Sequence, residues 1–277
     1  MTFTVHTALS TLVLLLWPAG LGQSQAPQIF EVVSVKRSNA ADDRTASMVQ
    51  PGGRYSATNV TLRMLVKTAY GVHDDQVVGG PDWIASERFD VLAKAEGNPP
   101  TSVFRDQARL MLRPALADRF KLALRRERRE IPIYALLLAR DDGRFGPQLR
   151  QSDETGCGGA ARAVPASPGA AEPSPELPCA SGFSRSAHVG ARALDFSTLV
   201  SSLATWTDRV VVDRSGLTGK FDWDLQWTPD QLSPDAARLA ALSLFTALRE
   251  QLGLKLESQR GTVEVLVVER AERPQPD

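Results

Sequence analysis

Gly219-Lys220-Phe221-Asp222-Trp223 answers Glu87-Arg88-Phe89-Asp90-Val91 far upstream in the same chain: a cation, a phenylalanine, an aspartate and an apolar residue in strand-like alternation. The match keeps its register downstream. Leu254-Lys255-Leu256 stands as far beyond Phe221 as Leu122-Ala123-Leu124 stands beyond Phe89, so no insertion separates the two landmarks. A helix is expected between the landmarks in each half. In the first, Phe104, Ala108, Met111, Leu112, Ala115 and Leu116 recur at helical spacing. Pro114 inside that run predicts a kink, because a helical proline removes a hydrogen bond at a cost of about 3 kcal/mol. In the second, Pro234 to Leu252 is expected to be helical, with Ser233 as cap and Gly253 at the end.

The correspondence continues upstream. Thr61 is the expected cap of a helix whose apolar face is Leu62, Leu65, Val66 and Ala69 and whose end is Gly71; Phe196, Leu199, Val200 and Leu203 repeat that face. Gln76 to Pro81 reads as a short strand and turn, and Val210 to Asp213 takes its place in the second half. Phe30 to Lys36 and Arg54 to Ala57 read as strands, with Asp42 to Gly53 turn-rich between them. Lys121 to Leu124 and Ile131 to Leu138 read as a hairpin joined through Arg125 to Glu130, and Val263 to Arg270 echoes Tyr134 to Arg140. Register held across a strand, a helix and another strand implies duplication. The expected fold is α+β: two similar lobes, residues 27–149 and 188–277, each an antiparallel or mixed sheet packed against two helices. A Pro/Gly/Ala-rich linker, residues 150–187, separates them.

The N-terminus has the order of a secretory signal. An apolar stretch from Ala8 to Trp17 leads to Pro18 and the small-residue run Ala19-Gly20-Leu21-Gly22, so residues 1–22 are expected to be removed after Gly22. The mature chain is then exported, periplasmic or extracellular. No other stretch approaches the roughly 18 to 20 apolar residues a membrane span requires, so none is expected after signal removal. Export makes a disulfide between the only two cysteines, Cys157 and Cys179, the default reading. Closing that loop would add roughly 3 kcal/mol in the chain-entropy view. With 32 basic and 32 acidic side chains there is no global field to gather nucleic acid or anionic lipid, so neither is an expected partner.

Reactive constellations are sparse. His73 and His188 stand alone in turn-like segments without ligand-spaced neighbours, so no metal is expected. Gly182-Phe183-Ser184-Arg185-Ser186 misses the nucleophile-elbow pattern, and no glycine-rich phosphate loop precedes a helix, so no cofactor is expected. The strand Phe221 to Trp227 puts Phe221, Trp223, Leu225 and Trp227 on one face and Asp222 and Asp224 on the other. Those aspartates are either a solvated face or, roughly 7 Å apart, carboxylates for a cation or an acid–base pair. The first half keeps only Asp90. The run Arg125 to Glu130 reads as a solvated hairpin tip that protects an edge, or as a contact for an acidic partner.

Several phrases together resemble an uncharacterised exported family, a domain of unknown function abundant in Solibacter-type Acidobacteria. They are Phe30 to Lys36, Pro51-Gly52-Gly53-Arg54-Tyr55 with Asn59-Val60-Thr61-Leu62, Gly79-Gly80-Pro81-Asp82-Trp83 and Asp213 to Asp222, whose Gly-Leu-Thr-Gly-Lys-Phe-Asp phrase is the most specific. The resemblance spans nearly the whole mature chain and supplies no catalytic residues. Its relatives that join the module to an antirepressor-type membrane metallopeptidase imply a sensing or binding ectodomain; that peptidase activity does not carry over. The Thr61 helix and its flanks are also similar to the short N-terminal module of secretins and TonB-dependent receptors, a signalling and interaction fold. The expected function is therefore an exported binding, sensing or interaction module for an unknown envelope protein or small ligand. One alternative is a cell-envelope hydrolase using carboxylates such as Asp222, with a deep cleft between the halves; a structural envelope protein, with no cleft, is the other.

Overall fold

The computed structural model describes residues 29–40, 43–152, 177–185, 187–228 and 243–275. The expected signal, Cys157 and the start of the helix expected at Pro234 lie outside the described residues. The first half runs β1 (Phe30–Arg37), β2 (Ala46–Gln50), β3 (Arg54–Thr61), α1 (Leu62–Tyr70), β4 (Val77–Gly79), α2 (Trp83–Ser86), β5 (Arg88–Ala95), α3 (Thr101–Arg119) and β6 (Ala123–Leu138). The second runs β7 (Leu149–Gln151), β8 (Ser181–Arg185), β9 (His188–Asp195), α4 (Phe196–Leu203), β10 (Val210–Asp213), β11 (Lys220–Gln226), α5 (Leu244–Ala247), a π turn (Leu248–Leu252) and β12 (Leu254–Arg270). The fold is mixed α+β, mostly strand.

Three four-stranded sheets result, in the orders β1-β5-β3-β2, β7-β11-β9-β8 and, between them, β10-β6-β12-β4. Advancing each strand number by six converts the first order into the second. The sense of pairing is kept as well: the outer sheets are antiparallel throughout, while β4 joins β12 and β10 joins β6 in parallel. Glu130 faces Thr262 in the β6–β12 ladder, and the shift that carries Phe89 to Phe221 carries Glu130 to Thr262.

Local signals account for the helices. Thr61 accepts the Met64 N–H at 3.2 Å, Gly71 closes α1 at φ 65°, and Leu62, Leu65, Val66 and Ala69 are buried, as their spacing predicts. Helix α3 continues through Pro114 to Arg119 without restarting, with Phe104, Ala108, Met111, Leu112 and Leu116 in the core. The expected long helix of the second half is interrupted. Ser243 is extended and caps a new turn by accepting the Thr246 N–H at 3.2 Å, and Gly253 ends it at φ 69°. Lys121, which the shift from Phe89 to Phe221 carries to Gly253, holds a left-handed φ of 47° that costs a non-glycine residue about 1 kcal/mol. Lys121→Gly is therefore expected to raise stability by about 0.5–1 kcal/mol, read as a higher urea midpoint at unchanged slope.

Three expectations need correction. Residues 42–53 are not all turn: β2 forms there because Ala46 to Gln50 pairs residue by residue with Thr58 to Arg54. The residues expected as a hairpin form the single strand β6, because Arg125 to Glu130 contains no Gly, Pro, Asn or Asp to turn on and β12 pairs along nearly its full length, from Leu254 with Leu138 to Val268 with Leu124. The charged run is thus the middle of a ladder, laced by Arg125–Glu269 at 2.9 Å, Arg260–Glu130 at 2.8 Å and Arg126–Glu264. Glu127, held first by Arg129 and then by Arg125, has its carboxyl lowered to about 2. Strands β7 and β8 take up the ends of the expected linker.

The lobes are also not self-contained, because β6 and β12 run from one core into the other. One core gathers Phe30, Phe89, Phe104, Leu112 and Phe120 with Leu266 and Val268 from β12. The other gathers Phe196, Leu199, Trp223, Leu225 and Leu248 with Leu136 from β6.

Candidate functional site

The phrase Phe-Asp does the same structural job in both outer sheets. On β3, the two residues between Ala57 and Val60, Thr58 and Asn59, oppose the single Asp90 of β5, and the extra residue is accommodated at Asn59, with φ 57°. Asp90 accepts the Asn59 N–H at 2.8 Å. On β9 the span from Ala191 to Leu194 opposes Trp223 and Phe221 in the same way, Ala193 takes φ 52°, and Asp222 accepts the Ala193 N–H at 2.8 Å. A carboxylate next to the core phenylalanine thus pins a β-bulge in each half.

Asp222 is saturated. Its Oδ1 also accepts the Ser152 hydroxyl at 2.6 Å, and its Oδ2 accepts Arg150 Nε at 2.8 Å and Nη2 at 2.6 Å. Burial pushes its carboxyl up, but the hydrogen bonds from Ser152, Ala193 and Arg150 and the Arg150 charge outweigh that and hold it below the ordinary carboxylate range. Asp224, 0% exposed, meets His188 Nε2 at 3.1 and 3.2 Å and Gln226 Nε2 at 3.4 Å. The Phe183 ring stands edge-on to His188 at 4.6 Å, and Arg192 Nη1 reaches Leu177 O at 3.1 Å.

The aspartate face is therefore buried, not solvated, and the sequence missed His188 as a member of it. No local spacing could have found the pair, because it arises from the β9–β11 register that sets His188 opposite Gln226 and Gly190 opposite Asp224. Among the described residues no hydroxyl or thiol hydrogen-bonds His188, so the nucleophile of a catalytic triad is missing there. Nor do three His, Cys, Asp or Glu side chains gather to hold a metal among them. His73 instead accepts the Asp75 N–H at 3.4 Å, and its Nε2 lies 3.3 Å from Thr207 O in the other half. Among the described residues no cysteine thiol is free; Cys157 lies outside them.

The open concavities lie elsewhere. A groove of about 370 Å³ runs between β2 and helices α1 and α3, lined by Ser47, Met48, Val49, Tyr55, Arg105 and Arg109. A second, of about 210 Å³, shares Ser47, Tyr55 and Thr68 with it and extends along α1. Tyr55 Oη and Ser47 Oγ lie 2.8 Å apart, and burial, partly opposed by that bond, pushes the Tyr55 phenol up. Between β8 and α4 the second half has a groove of about 230 Å³, lined by Phe183, Leu194, Thr198, Ser202 and Trp223 among others. Leu194, Thr198 and Ser202 stand at the same places on β9 and α4 as Val60, Met64 and Thr68 on β3 and α1.

Residues 63–271 match the DUF3738 domain, a protein family of unknown function. The chain belongs to the DUF3738 family. No curated protein and no solved structure matches it. The DUF3738 match takes in α1, α3, both long strands and the whole Asp222–Asp224 strand, while Ser47 to Tyr55 of the β2 groove precede it. No described helix of this DUF3738 protein is long and apolar enough to cross a membrane.

Proposed function

We propose that this DUF3738 protein is an exported binding or protein-interaction module that recognises its partner along the edge of β2 and the groove beneath it. One observation carries the reading: β2 ends its sheet, so one side of its backbone has no strand partner among the described residues, and that edge borders the 370 Å³ groove. An edge with unpaired amides and carbonyls beside a concavity is the geometry of strand addition. The hydrolase alternative asks Asp222 and Asp224 to meet substrate, yet each is buried and engaged, and neither lines the three grooves described. The signal at residues 1–22, the disulfide Cys157–Cys179 and a periplasmic or extracellular site of action belong to the same reading.

Duplication belongs to it too. The six-strand shift in sheet order, the two bulges pinned by Asp90 and Asp222, and the facing of Glu130 and Thr262 all support descent of both halves from one unit. The halves then differ where roles diverged. Leu92, 63% exposed in the middle of its sheet, stands where the second half buries Asp224.

Selection of randomised ten-residue peptides on the intact mature protein, followed by amide exchange, tests the binding role. Enriched peptides should slow exchange at residues 46–50 at least about tenfold. Protection confined to other surfaces, or no enrichment, would overturn the assignment.

A further inference from the structure

We infer that the segment recognised at β2 is an extended acidic peptide, with carboxylates at every second residue and apolar side chains between them. This rests on the strand-addition reading above and names its ligand chemistry.

In a strand laid along β2, alternate side chains point to opposite faces of the sheet. One set faces inward with Ser47 and Val49, which pair with Ala57 and Tyr55 of the core side, and so enters the groove. That groove is cationic. Arg105 and Arg109, four residues apart on α3, line it, Lys67 lines its continuation, and no Asp or Glu lines either part. Lys67 is engaged by Asp74 at 3.2 Å, and Arg109 Nε donates to Thr68 O at 3.2 Å. Arg105 is exposed and makes no ion pair among the described residues. A guanidinium placed so matches a carboxylate in two-point geometry.

The other set of side chains lies on the opposite face beside Met48, which borders the groove at the strand edge but is 50% exposed and pairs with Ser56, itself opposite the exposed Leu92. Apolar residues fit there. The corresponding groove of the second half is lined by no charged side chain, so the acidic preference belongs to the β2 groove alone.

The test uses the intact mature protein and three fluorescein-labelled ten-residue peptides alternating Val with Glu, Gln or Lys, read by anisotropy at about 50 mM and about 300 mM salt. The Val-Glu peptide should bind at least about tenfold more tightly than the Val-Gln peptide, lose affinity with salt, and outcompete the Val-Lys peptide. Arg105→Glu should weaken Val-Glu binding by about tenfold or more with its thermal midpoint unchanged, and Arg105→Lys should restore part of it. Equal binding of the Val-Glu and Val-Gln peptides would overturn the acidic preference while leaving strand addition standing. Binding of Val-Glu that Arg105→Glu does not weaken, or no binding of Val-Glu at all, would overturn the inference; the randomised selection judges the binding role separately.

Discussion

Asp222→Ala is expected to destabilise the protein by about 3 kcal/mol, because it strands a buried bulge amide and the Ser152 hydroxyl and strips Arg150 of its partner. Arg150 keeps partial access to water, which is why the cost stops short of that for a fully enclosed broken ion pair. Asp90→Ala removes the carboxylate acceptor of one bulge amide and should cost about 1 kcal/mol. Equilibrium urea unfolding of the two variants checks the order as well as the size. A smaller loss at Asp222 than at Asp90 would mean that the Arg150 and Ser152 contacts contribute nothing.

The pH dependence has a fixed sign. A carboxyl held below its ordinary value when folded contributes stability that is fully present above its unfolded value, near pH 4, and that is lost as the pH falls through the folded value. Wild-type stability should therefore drop as the pH is lowered from about 5 toward 3. Asp74, Glu87, Glu127, Asp142 and Glu257 are lowered as well and add to the drop. The difference between wild type and Asp222→Asn isolates one group: it should be largest near neutrality and shrink below about pH 4.

Much of the chain was legible where its signals are local. The α1 cap at Thr61, its buried stripe and its Gly71 stop sit within a few residues of one another, and the Phe-Asp strands carry their own alternation. What escaped depends on partners distant in sequence. Strand β2 is short, exposed over most of its length and forms by pairing with β3; Arg125 to Glu130 looks like a tip until β12 is laid beside it. The burial of Asp222 and Asp224 followed from neither alternation nor composition, because the residues that engage them, Arg150, Ser152 and His188, come from other strands and loops. The groove beside β2 was invisible for the same reason: it is made of a strand edge and two helices that converge only in the fold.

The second large effect concerns the shared sheet. Residues 29–152 alone would lose β12 from beside the sixteen residues of β6, together with Leu266 and Val268 from their core, and burial of two such side chains contributes roughly 1.5–3 kcal/mol each. Residues 177–275 alone would lose Leu136 and the pairing of β10 with β6. Against a margin of about 5–15 kcal/mol for a whole domain, the loss of these side chains together with the strand pairing is expected to leave neither fragment a stable fold of its own.

Near-ultraviolet circular dichroism of the two separately produced fragments, alone and mixed, tests the interlock most directly. Each fragment by itself should give no cooperative unfolding transition, and an equimolar mixture should recover the native spectrum and a single transition. A fragment that unfolds cooperatively on its own with its native spectrum would show that the halves are independent lobes and that β6 and β12 do not bind them into one fold.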